Sequence, residues 1–179
     1  MIQYAQIIRY KKILNKSVLL SFLLFSIFTG AQEDFVQQCE GVWTGTMYIY
    51  ANGQKAADAP KITFTVMPIV KDSSWVWRTD YDSQKFGKIS KDYKLLLRDA
   101  TTGYYQLDEG DGLYLDQHLV ANKMYSVFEV QNIALSASYE LRGEELIFEV
   151  ISSPKSQDST EVRSHPVRNV QRVVLKKTN

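Results

Sequence analysis

The chain has 179 residues, 45% of them hydrophobic and 23% charged, with a formal net charge of +1. That is one domain's length and an ordinary globular composition, which excludes a disordered chain, a disulfide scaffold and a collagen-like fibre. The near-neutral charge sums two unlike pieces: the first 31 residues hold Arg9, Lys11, Lys12 and Lys16 and no acid, and the remainder carries 17 basic and 20 acidic residues, a net −3.

Residues 1–31 are predicted to be a secretory signal peptide. A basic stretch from Arg9 to Lys16 leads into an apolar run at 18–28, and Thr29-Gly30-Ala31 follows as a small-residue cleavage pattern. The run is far shorter than the ~20 apolar residues that a spanning helix needs. Cleavage after Ala31 would leave a single domain at 32–179, secreted or periplasmic. Cys39 lies eight residues past Ala31, too far along to be a lipid-anchor cysteine. As the only cysteine it can form no intrachain disulfide, and it reads as a small buried hydrophobe.

Residues 33–40 carry the one helical signal, with Phe35, Val36 and Cys39 on a common face. Beyond them the period is two. Residues 41–50 alternate Trp43, Gly45, Met47 and Ile49 against Val42, Thr44, Thr46 and Tyr48, and Asn52-Gly53 is a strong turn dipeptide. Residues 61–67 set Ile62, Phe64 and Val66 on one face. After the turn at 71–73, residues 74–81 set Trp75, Trp77, Thr79 and Tyr81 on one face. A loop at 83–87 leads to a strand at 91–99 with Tyr93, Leu95 and Leu97 on one side. Further strands are predicted at 104–107, 113–120, 123–130, 133–141, 145–152 and 167–177, with a long polar loop at 153–166.

Nine or ten short strands joined almost entirely by hairpin turns predict an all-β protein. The expected form is an antiparallel up-and-down barrel of about 8–10 strands with a short N-terminal helix. A sandwich would need crossover links, and a closed sheet leaves no exposed edge.

The helical turn leading into Gly41-Val42-Trp43-Thr44-Gly45 resembles the G-x-W start of lipocalins and the wider calycin group. That resemblance implies that Trp43 sits at the closed end of the barrel with an arginine of the last strand across it, Arg168 or Arg172, a cation–π contact; Arg172 is preferred. Thr79-Asp80-Tyr81 matches a second lipocalin signature but stands too early in the chain, and is read as chance. The chain is also similar to uncharacterised secreted lipocalin-like proteins of Gram-negative bacteria. The same G-x-W-x-G start, with Arg142-Gly143-Glu144-Glu145-Leu146, resembles nitrobindin-like haem-binding barrels. There the proximal ligand is a histidine shortly before the final strand, a place held here by His165.

Motifs for chemistry are few. No G-x-S-x-G elbow, H-E-x-x-H run or phosphate-binding glycine loop occurs, and two histidines cannot make a three-histidine site. The run from Asp108 to Gly112 places glycines where a calcium loop needs oxygen ligands, and reads as a hairpin turn. His165 has polar neighbours and reads first as a solvated loop residue. No enzyme, metal or obligatory cofactor is expected.

The aromatic group is more suggestive. Trp75, Trp77, Phe64 and Met47, with Tyr93 and Tyr125, are expected to line a cavity for a small apolar or amphipathic molecule. The same side chains could instead fill the core, because an eight-stranded barrel is just filled by its side chains. Three readings therefore stand: a ligand-binding barrel, a haem or tetrapyrrole carrier using His165, and a structural or interaction barrel with a filled core. The net charge of −3 after residue 31 argues against nucleic acid as partner, and no amphipathic membrane helix follows residue 31.

Overall fold

The computed structural model describes residues 34–155 and 164–178; the signal peptide expected at 1–31 and its cleavage site lie outside them. A one-turn helix α1 (Phe35–Cys39) precedes eleven strands. These are β1 (Gly41–Ala51), β2 (Gln54–Lys55), β3 (Lys61–Val70), β4 (Ser74–Ser83), β5 (Gly87–Asp99), β6 (Tyr104–Gly110), β7 (Leu113–Val120), β8 (Lys123–Val130), β9 (Ile133–Arg142), β10 (Glu145–Pro154) and β11 (Asn169–Lys177). The two-residue β2 only folds back on the end of β1. The other ten pair antiparallel with their chain neighbours, and β1 pairs with both β3 and β11, so the sheet closes. The protein is a ten-stranded antiparallel barrel.

Alternation builds it. In β4 the side chains of Trp75, Trp77, Thr79 and Ser83 are buried, while Arg78 and Asp80 on the other parity pair with each other at 2.9 Å on the outer face. The turns agree with their residues: Asn52-Gly53 and Asp111-Gly112 both hold two successive positive φ angles, 49° and 78°, 54° and 80°, the requirement of a tight right-twisted hairpin. The Asp108–Gly112 run is thus a hairpin turn, with an Asp108 carboxylate oxygen accepting the Gly110 N–H at 2.9 Å.

One end of the barrel is plugged. A single helical turn has no stability of its own, and α1 is held by what it covers: Phe35, Val36 and Cys39 are buried in the core. The Trp43 indole N–H donates to the Cys39 carbonyl at 2.7 Å, and the Trp75 indole N–H donates to Glu40 at 3.1 Å.

The cation over Trp43 is Lys177, its Nζ 5.3 Å from the ring centroid; this corrects the expectation for Arg172. The reason is parity. Val173 and Leu175 of β11 point inward, so Lys177 shares their side and stands directly opposite Trp43 in the register. Arg172 points outward, opposite Tyr48, and its Nη1 donates to Glu149 at 2.9 Å. Arg168 is exposed.

Both glycines of the G-x-W-x-G run follow from this closure. A Cβ on Gly41, whose φ is +123°, would come 2.7 Å from Cε of Lys177. A Cβ on Gly45 would come 2.5 Å from the Val174 carbonyl oxygen, so glycine lets β11 approach β1.

Above this plug the interior is packed. Met47, Phe64, Trp75 and Trp77 are each 1% exposed. Phe64 and Trp77 meet edge to face with centroids 5.0 Å apart, and Tyr139 stacks between Phe64 and Phe148 at 5.4 and 4.5 Å, geometries that aromatic quadrupoles favour.

Candidate functional site

The aromatic packing stops part-way up the barrel. In the half away from α1, the interior holds a cavity of about 270 Å³. Barrel diameter grows with strand number, and eight strands already leave room only for side chains or one small ligand; ten give the extra width. The cavity floor is Tyr139 and Phe148, and its walls are Leu107, Leu115, Phe128, Leu135, Ala137 and Val150. Between these apolar surfaces stand Thr79, Tyr81, Tyr93, Gln117 and Gln171, with Lys91, exposed to solvent, and the half-buried Glu109 on the same lining. Each comes from the inward parity of its strand, so the lining is drawn from β4 to β11.

Electrostatically the wall is rich in protonated donors. Burial pushes the Tyr81 phenol up from 10.0 to about 12, with the neighbouring Tyr93 adding to the shift. Burial raises the Tyr139 phenol further still, with Tyr81 and Tyr93 adding to it and a hydrogen bond to Trp77 opposing it. The Tyr81 and Tyr139 phenols therefore keep their protons at neutral pH. The Lys91 ammonium donates to the Tyr93 hydroxyl oxygen at 3.0 Å and lies over the same ring, 5.5 Å from its centroid. Among the described residues neither Lys91 nor Glu109 makes an ion pair.

Of the residues expected to line a cavity, Tyr93 does so. Met47, Phe64, Trp75 and Trp77 face inward as expected but fill the half near α1, with Trp77 and Phe64 packed beneath the floor at Tyr139. Tyr125 corrects an expectation: it is 42% exposed with Lys123 over its ring, because Met124 and Ser126 hold the inward parity of β8. Tyr81, which the sequence groups with Trp75 and Trp77 on one inward face, also lines the cavity. Lys91, Glu109, Gln117 and Tyr139 carry no such signal in the sequence.

The haem reading can be tested on the donor set. His165 is exposed, and its Nδ1 lies 3.3 Å from the Pro154 carbonyl oxygen. It is not part of the cavity lining, and His118 is exposed on the outer face of β7. The described residues therefore do not fit a histidine-ligated haem in the barrel. Nor do they bring three His, Cys, Asp or Glu side chains together as a metal site.

Comparison with solved structures follows this geometry. The crystal structure of a protein of unknown function from the DUF3598 family of Nostoc punctiforme superposes with a TM-score of 0.57 at 8% identity, covering 80% of this chain and 49% of that one. The two share a fold. This chain spans about half the length of that protein. Designed barrels superpose less well: a de novo fluorescence-activating β-barrel has a TM-score of 0.41 at 10% identity, covering 81% of this chain and 98% of that one. A redesigned barrel bound to DFHBI has a TM-score of 0.39 at 8% identity, covering 79% and 97%. No family profile and no curated protein matches the sequence.

Proposed function

We propose that this barrel is a non-enzymatic binding protein of lipocalin-like type that holds one small apolar or amphipathic molecule in its open half, without a metal or cofactor. The observation that carries the reading is the cavity itself. It is apolar over most of its wall, studded with a few polar groups, and supported by a rigid aromatic floor. Its volume is near the low end of the ~300–1,000 Å³ typical of ligand pockets, which suits a small ligand. Function on this reading is burial of apolar surface, at roughly 25 cal/mol per Å² removed from water. The basic leader, apolar run and small residues ending at Ala31 support export, with a mature N-terminus at Gln32. Intact-mass measurement of protein recovered from its source tests that end.

The binding test uses N-phenyl-1-naphthylamine, a neutral probe whose emission rises in apolar surroundings. The expected result is saturable binding by the wild type and loss of binding in Ala137→Trp, which fills the cavity, with β-sheet circular dichroism retained. Equal binding by both proteins would place the probe elsewhere and overturn the reading.

A further inference from the structure

We infer that the cavity selects an amphipathic organic acid, with the carboxylate at the mouth against Lys91 and Tyr93 and the apolar body on Leu107, Leu115 and Phe128. The inference rests on the reading of the cavity as a ligand site and names the chemistry of its head group. A lysine on the inner parity of a barrel strand is the first observation. Lys91 follows the same side of β5 as Tyr93 and Leu95, and it lines the cavity while remaining exposed to solvent.

The second observation is what it donates to and what it leaves unsatisfied. Lys91 Nζ donates to the Tyr93 hydroxyl oxygen at 3.0 Å. That contact occupies an acceptor site on Tyr93 and leaves the Tyr93 O–H, with the remaining ammonium protons, to donate into the cavity. Tyr81, on the neighbouring strand β4, lines the same cavity, and its burial keeps the phenol protonated. It supplies a further O–H. One cation and two phenol donors on the adjacent strands β4 and β5 of one cavity wall complement an anionic oxygen pair, and such charge-assisted hydrogen bonds are roughly twice as strong as neutral ones.

Glu109, from the adjacent strand β6, is the acid of the wall. It repels an anion and so confines the head group to the Lys91 side. An ammonium head could pair with Glu109, but it would lie beside the Lys91 charge and face phenol hydrogens.

The experiment is displacement of N-phenyl-1-naphthylamine at neutral pH by decanoate, decanol and decylamine, three ligands with one tail and different heads. Decanoate is expected to displace the probe at about tenfold lower concentration than decanol, the worth of one charge-assisted contact. Lys91→Met should erase that advantage, Tyr93→Phe should reduce it, and Glu109→Gln should enlarge it. A decanoate advantage that survives Lys91→Met overturns the assignment. So does decylamine as the best competitor with its binding lost in Glu109→Gln. Binding of the probe and decanol with no preference for decanoate would overturn the acid head group alone, whereas failure of the probe to bind would overturn the ligand site itself.

Discussion

The two halves of the barrel share the same strands and differ in what fills them. Toward α1, large side chains of the neighbouring strands β1, β3 and β4 pack together: Trp43, Met47, Phe64, Trp75 and Trp77 all belong to the buried core. Toward the other end the same strands continue with Ile49, Thr79 and Tyr81, and β5 to β11 contribute Lys91, Glu109, Gln117, Ala137 and Gln171. Smaller and polar-tipped side chains do not span a ten-stranded interior, and a cavity remains. The barrel is thus divided along its axis: one half supplies the packed core, the other the concavity.

Truncations should separate the halves most strongly. Trp77→Ala removes a fully buried indole beneath the cavity floor and is expected to cost about 3–5 kcal/mol in urea unfolding. Leu135→Ala, on the cavity wall, should cost less than the roughly 2 kcal/mol that begins the range for buried leucines. Equal costs would mean that the open half is packed like the other. Next in size is Gly45→Val, which drives a Cβ into the Val174 carbonyl; a loss of about 1–3 kcal/mol is expected, as for other overpacked sites.

Alkaline pH reads the phenols that join the two halves. The folded Tyr81 value, about 12, lies above its unfolded 10.0, so below pH 10 its contribution is complete. As pH rises from 10 toward 12 the unfolded chain releases the proton first, and stability is lost. Tyr81→Phe should make that loss shallower when unfolding free energy is followed against tyrosinate absorbance. An unchanged slope would show that Tyr81 is not desolvated. The smallest effect is expected at the plug: Lys177→Met should cost about 0.5–1 kcal/mol, the range for an exposed cation–π contact, and shift Trp43 emission. Arg172→Met should leave that emission unchanged.

Much of the fold was legible because strand parity and turn chemistry are local. Trp75 and Trp77 read as inward-facing from their spacing, and Asn52-Gly53 reads as a turn. Trp43 was assigned to the closed end through a resemblance, and the barrel places it there with Lys177 in the cation's role. Parity failed where both faces carry apolar residues. In β8, Met124, Ser126 and Phe128 face in, yet Tyr125 and Val127 are as apolar, and Val127 is 78% exposed. In β11, Val170 and Val174 on one side mirror Val173 and Leu175 on the other, so parity does not say which cation faces Trp43; Arg172 came from the resemblance, and the register puts Lys177 there.

Periodicity by itself determined that the chain from residue 41 onward is all-β, nearly all hairpin-linked and amphipathic strand by strand, because side chains alternate across a strand whatever surrounds it. The basic first 31 residues and the acidic remainder were equally plain from composition. Only the tertiary structure decided how many strands close the sheet, which inward residues share a level, and therefore where packing ends and the cavity begins. Those depend on register between strands far apart in sequence, such as Trp43 opposite Lys177. A one-residue slip there would exchange every inward side chain for an outward one.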